Sequence, residues 1–205
     1  MRHWMIGAAL AVMLAGCGAT LPKSAEVPLA TPPGLALPLK GRALLYVADV
    51  DLKRKFAYDL NRISREETDI PDGVLLQGAA RDLLSKGFAT VTSNEPLPLP
   101  HVVVRVGGVA AWNRVEGSYR VTCSVDAYES DGIPIGSFLN LFKSTPLHGF
   151  EEALPRLYAQ CLRQPMEDML RSPAIAALAK AGFPEPNPVK TDAYLRSQGF
   201  VIRGR

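Results

Sequence analysis

The cysteines and histidines are the residues in this chain best suited to chemistry, and their placement says which kind. Cys123 falls within an alternating run from Tyr119 to Tyr128. Val121, Cys123, Val125 and Ala127 take one face of that run, and Thr122, Ser124, Asp126 and Tyr128 take the other. Cys161 lies on the apolar stripe of a helical pattern with Leu154, Leu157, Tyr158 and Leu162. A helix laid over that sheet face would point both thiols into one core. In an oxidising compartment Cys123 and Cys161 are candidates for a disulfide, which would stabilise the fold by roughly 3–4 kcal/mol on the chain-entropy account. The alternative is two buried, unpaired thiols. The histidines, His3, His101 and His148, are scattered and have no carboxylate pattern beside them. No metal site is expected from that spacing. The sequence has no G-x-S-x-G elbow, no H-E-x-x-H and no P-loop; Gly107-Gly108 lacks the Gly-Lys-Ser/Thr that a phosphate loop needs. Ser118 has no recognisable base, and Glu151-Glu152 reads as a helix start complementing the dipole. The expectation is a protein that is not an enzyme, with no catalytic residues, no metal and no cofactor.

The remaining cysteine, Cys17, belongs to the N-terminus. Arg2 and His3 give a short basic start, and Trp4 to Ala15 is almost wholly apolar. That run is too short to span a bilayer, which takes about 20 residues. Its layout is that of a secretory signal. Leu14-Ala15-Gly16-Cys17 resembles the lipobox of bacterial lipoproteins. The resemblance implies cleavage before Cys17, diacylglyceryl transfer to its thiol and acylation of the new N-terminus. Residues 1–16 are then a signal peptide and Cys17 the lipidation site, and the compartment is oxidising. In that family an aspartate after the cysteine favours inner-membrane retention. Gly18 stands there instead, so the outer membrane, periplasmic face, is expected ahead of the inner membrane. Several acyl chains together make a stable anchor.

The elements that must position these residues follow from pattern. The chain has 205 residues, 47% hydrophobic and 21% charged, which suits one folded domain and argues against disorder. Its net charge of +3 is too balanced to suggest nucleic acid as a partner. Residues 17–41 carry Pro22, Pro28, Pro32, Pro33 and Pro38 and read as a lipidated, semi-rigid tether. The folded domain is expected over 42–182. Ala43 to Val50 reads as a buried strand, and Lys53-Arg54-Lys55 as a solvated loop. Asp72 is a candidate N-cap for a helix whose Leu76, Ala80, Leu83 and Leu84 share a face. Phe88 to Thr92 and Val102 to Val106 are further strands, with Gly107-Gly108 a candidate bulge. Asp131-Gly132 should turn residues 119–129 back onto 133–143, and Pro134 makes that second arm an edge. A second helix covers 151–170, with Pro165 ending or kinking it. Ser172-Pro173 caps a third, closed by Gly182. Residues 183–205 are a proline-punctuated tail with room for one more helical turn near Asp192 to Ser197. The fold class is therefore α+β: a mostly antiparallel sheet of four to five strands, with two main helices packed on one face.

A lipobox, a proline-rich lead and one domain of this element order resemble the small YajG-type lipoproteins of bacterial outer membranes. The likeness extends more loosely to LptE-like and PqiC-like accessory lipoproteins. It rests on element order across about 42–181, with no diagnostic motif. It implies a non-catalytic binding or assembly module in the cell envelope, with an envelope protein or a second copy as partner. The alternative is an accessory lipoprotein of a lipid or ABC-type transport system that binds an apolar ligand. The arm at 133–143 gives this a location. Ile135, Leu139 and Leu141 alternate with Phe138 and Phe142, so both faces of the arm are partly apolar, where a half-covered sheet should show a polar second face. Ile135, Phe138, Leu139 and Phe142 are the candidate partner-binding residues. The chain's own tail, a protein partner and a lipid are the three coverings open for that face.

Overall fold

A computed structural model describes residues 26–59, 65–145 and 150–200. Cys17, the signal region and His148 lie outside the described residues. In chain order the elements are β1 (Leu39–Tyr46), the one-turn α1 (Asp49–Leu52), β2 (Ala57–Asp59), β3 (Arg65–Glu67) and α2 (Asp72–Gly87). They continue with β4 (Phe88–Ser93), β5 (Val102–Asn113), β6 (Ser118–Glu129), β7 (Pro134–Ser144), α3 (Phe150–Leu170), α4 (Pro173–Lys180) and α5 (Pro188–Ser197). The architecture is α+β, and most of the sheet pairing is antiparallel.

The long strands β5, β6 and β7 form an antiparallel meander, and it holds most of the pairing. Gly132, at φ +89°, makes the turn between β6 and β7 expected of Asp-Gly. β1 lies on the other side of β5 and runs parallel to both β5 and β4. The α2 crossover between β1 and β4 makes that parallel pair possible. The small β2–β3 ribbon joins the far end of β5. β7 pairs only with β6, as Pro134 suggested, so it is an edge.

α2 and α3 cover the inner face of the sheet. Leu76, Ala80, Leu83 and Leu84 of α2 are buried, as are Leu154, Leu157, Tyr158, Cys161 and Leu162 of α3. Both helices meet the inward residues of the strands, among them Ala43, Leu45, Val104 and Val125. The β5–β6 register runs without a break through Gly107 and Gly108, so there is no bulge. Gly108 serves close approach instead: a Cβ there would sit 3.1 Å from Leu76 and 3.3 Å from Tyr158. α3 also departs from expectation. It passes through Pro155 and Pro165 to Leu170, and its last turn is held by buried Met166, Met169 and Leu170.

Both flanks belong to the body. Residues 26–38 do not stand off as a tether. Val27 is fully buried, the Ala30 N–H donates to Glu167 Oε1 at 3.0 Å, and Lys86 Nζ donates to the Val27 carbonyl. The C-terminal stretch forms α5. Asn187 caps it by accepting from the N–H groups of Val189 and Lys190, with Pro188 in the first turn. α5 crosses to the outer face of the sheet, where Leu195 and Phe200 pack with Leu44 and Val103 in a second, smaller core.

Cys123 and Cys161 meet inside the main core, both fully buried, with Cα atoms 6.0 Å apart and sulfurs in bonding contact. That separation lies within the span of a disulfide. For chain exported from the cell, both thiols are expected to resist alkylation in denaturant until a reductant is added. Rapid labelling of both without reductant would show free thiols.

Candidate functional site

The structure places the four candidate partner-binding residues in two environments. Phe138 and Phe142 fall on the inward face of β7, opposite Val125 and Val121, and pack against the main core. A register shift between Ala127 and Tyr128 leaves Ile135 without an opposite residue, and it too packs against the core. Leu139 alone points away and is 73% exposed. Its companion is Leu141, 71% exposed and two residues along the same face. The apolar character of both faces of the arm therefore has two causes: one face closes the core and the other is open.

The register defines this open face. The cross-strand rows are Gly107–Ser124–Leu139 and Val109–Thr122–Leu141. Polar rows bound them. On one side is Arg105–Asp126–Ser137, where the Ser137 hydroxyl donates to Asp126. On the other side Arg120 and Lys143 both pair with Glu116. Beyond the first polar row, the face is covered by α5. There Tyr128 and Tyr194 stack at 5.8 Å, and burial pushes the Tyr194 phenol up to about 12. Helix α5 thus covers one end of the outer face, and among the described residues none covers Leu139 and Leu141 at the β7 end.

A second feature lies at the other edge of the body. Residues 33–40 and α4 enclose a cleft of about 550 Å³. Leu35, Pro38, Ala176 and Phe183 supply apolar walls, and Lys40 and Lys180 are its two charged residues. Behind it, His101 clamps β1 to the start of β5. Its Nδ1 accepts from the Arg42 N–H at 2.9 Å, and its own N–H donates to the Arg42 carbonyl at 2.9 Å. The His101 ring lies edge-on to Phe183, and Arg42 pairs with Glu185 through both guanidinium nitrogens. Burial, then the Arg42 charge, holds the His101 pKa below its usual 6.5.

The third feature was not legible in the sequence. Asp72 is not an N-cap: it is the first residue of α2, and its carboxylate is 1% exposed. Oδ2 accepts from Arg54 Nε at 2.8 Å, and Oδ1 accepts from the Tyr158 hydroxyl at 2.6 Å. Arg54 also donates to Asp51 Oδ1 at 2.8 Å and to the Gly108 carbonyl. Arg54 is therefore not part of a solvated loop. Burial, then the Asp72 charge, keeps the Tyr158 phenol well above its ordinary pKa, so it stays a donor. Both Asp72 oxygens and the Tyr158 proton are thus committed to internal bonds, the pattern of a tie between elements. Among the described residues, no three His, Cys, Asp or Glu side chains converge as a metal requires. Nor, among them, is any helix long and apolar enough to cross a membrane.

No protein family and no curated protein matches the chain. Solved structures do. A Xanthomonas campestris protein of family DUF330 is similar at TM-score 0.49 and 11% identity, over 76% of this chain and 95% of that one. A second protein, described only as uncharacterised, is similar at TM-score 0.45 and 15% identity, over 67% and 95%. The PelC dodecamer of Paraburkholderia phytofirmans is similar at TM-score 0.42 and 18% identity, over 67% and 93%. Likeness at these identities concerns architecture alone.

Two outcomes test the tie and the clamp. Asp72→Ala leaves the buried Tyr158 hydroxyl without its acceptor, removes one of the two carboxylates that Arg54 meets, and is expected to cost roughly 1–3 kcal/mol in urea unfolding. Arg54→Met with Asp72→Leu should cost less than the two single changes added together. For His101 the folded chain binds a proton less readily than the unfolded chain. Stability is then complete above about pH 6.5 and falls as pH drops toward the lowered folded pKa. His101→Asn should flatten that part of the pH–stability curve.

Proposed function

We propose that this chain is a lipid-anchored envelope protein, held through Cys17 at the periplasmic face of the outer membrane, that works without catalysis by binding another protein. The N-terminal pattern ending in Leu14-Ala15-Gly16-Cys17 supports the anchor, and the resemblance to YajG-type lipoproteins agrees with it. The observation that carries the binding role is Leu139 and Leu141, side by side and exposed on an edge strand that pairs on one side only. Such an edge presents unpaired backbone N–H and C=O groups. The fitting occupant is an extended segment of a partner that adds a strand to β7 and places apolar side chains over the two leucines. The polar rows at Arg105–Asp126–Ser137 and Arg120–Lys143 would set its limits.

A second reading, an accessory lipoprotein that binds an apolar ligand for transport, is favoured by the cleft between residues 33–40 and α4.

Photo-crosslinking in cells separates the two readings. A photoreactive residue at Leu139 or Leu141 is expected to capture one discrete protein, and the same residue at Phe138 or Phe142 to capture none. Lipid adducts alone from 139 and 141, or no adduct from any position, would refute strand addition. Leu139→Arg should abolish capture while changing stability by no more than about 0.5 kcal/mol, as exposed positions tolerate. For the anchor, Cys17→Ala should move the protein from the membrane to the soluble fraction.

A further inference from the structure

We infer that the cleft between residues 33–40 and α4 is a binding site for a single-chain anionic amphiphile, its acyl chain along the apolar walls and its anionic head at Lys40 and Lys180. The inference deepens the apolar-ligand reading above and is independent of strand addition at β7.

Four features of the cleft point this way. Its volume of about 550 Å³ lies within the range of small-molecule sites, roughly 300–1,000 Å³. Gly34 and Gly182 line it at φ +76° and +73°, where other residues are strained, and neither brings a side chain to the wall. The hollow is therefore not closed by side chains on those two walls, and Ala176 and Ala179 add only methyl groups to a third. The chemistry of the walls selects for a tail without hydrogen-bonding groups. Pro33 and Pro38 have no N–H to offer, and Leu35 and Phe183 present carbon. A peptide laid there would leave backbone groups unsatisfied, whereas a hydrocarbon chain has none to satisfy.

The charge selects for the head. Lys40 and Lys180 are exposed, both line the cleft, and among the described residues neither has a salt-bridge or hydrogen-bond partner. Arg42, two residues from Lys40, is by contrast already committed to Glu185 and the Leu99 carbonyl. Two uncommitted ammonium groups on an apolar hollow complement one anionic group attached to a hydrocarbon.

The test uses the full chain in isolated membranes and a diazirine-bearing fatty acid as probe. Peptide mapping is expected to place the label on residues 33–40 and 176–183. Lys40→Gln with Lys180→Gln should cut labelling at least ten-fold, and Ala176→Trp, which fills the hollow from an exposed helical position, should do the same. Dodecyl phosphate below its micellar concentration should displace the probe; dodecyl maltoside and inorganic phosphate should not. Equal displacement by the maltoside would remove the anionic head from the proposal. Displacement by inorganic phosphate as effective as by dodecyl phosphate would remove the tail. Label scattered over the surface, or unchanged in Ala176→Trp, would overturn the site. Capture from Leu139 and Leu141 in the same membranes reports on the strand-edge reading separately, so failure of one leaves the other measured.

Discussion

The buried carboxylate of Asp72 is the constraint on which the arrangement of layers depends. It sits at the first turn of α2 and receives Arg54 from the preceding loop and Tyr158 from α3. Arg54 in turn reaches the Gly108 carbonyl in the middle of β5. Four pieces far apart in the chain are thus held at one point. A charge this buried is tolerated only because every lone pair facing inward has a donor, and in a low-dielectric setting such donors bind strongly. Two close contacts make the convergence possible. A Cβ on Gly73 would lie 1.8 Å from the Asp51 carbonyl, so only glycine fits where the α1 loop meets α2. At Gly108 the fit is tight and less absolute: a Cβ would lie 3.1–3.3 Å from Leu76, the Thr122 carbonyl and Tyr158.

The layers themselves were readable from the residues. The helical stripes of α2 and α3 and the alternation of β6 depend on local period alone, and each residue placed on those faces is buried. The Asp72 tie was not readable, because it joins positions 51, 54, 72, 108 and 158, and no local pattern relates them. Lys53-Arg54-Lys55 is balanced by nearby acids, so one half-buried guanidinium among three cations leaves no trace in composition. The split of the β7 arm was half readable. Its alternation was visible, but which face meets the core depended on the shift at Tyr128 that turns Ile135 inward. α5 was missed in part because prolines around it suggested a tail. Asn187-Pro188 was the signal: a side-chain cap followed by proline in the first turn.

The outer face shows how one sheet serves two ends. At β1 and the start of β5 the chain closes its own surface with α5, burying Leu195 and Phe200 against Leu44 and Val103. At β7 nothing among the described residues takes that role, and two leucines stand open beside an unpaired edge. Natural edges are usually blunted with charge or kept short. Here the edge strand has eleven residues, and its one charged residue, Lys143, lies at one end and pairs with Glu116. The middle is left apolar. The cleft under α4 lies on the β1 side of the body, so the two candidate surfaces are built from different elements.

The docking of residues 26–38 has a mechanical consequence. With an anchor at Cys17, the nine residues from Cys17 to Ala25 can reach at most about 30 Å when fully extended. Among the described residues, a pull on such an anchor would be met by the Val27 plug, the Lys86 bond to the Val27 carbonyl and the Ala30 bond to Glu167. Residues 28–38 then lead to β1, which β4 flanks on one side and β5 flanks on the other over Ala43–Tyr46. Force along a strand held on both sides acts in shear, on many backbone bonds at once. In the sheet, β5 and β6 stand between β1, where such tension would enter, and the β7 edge.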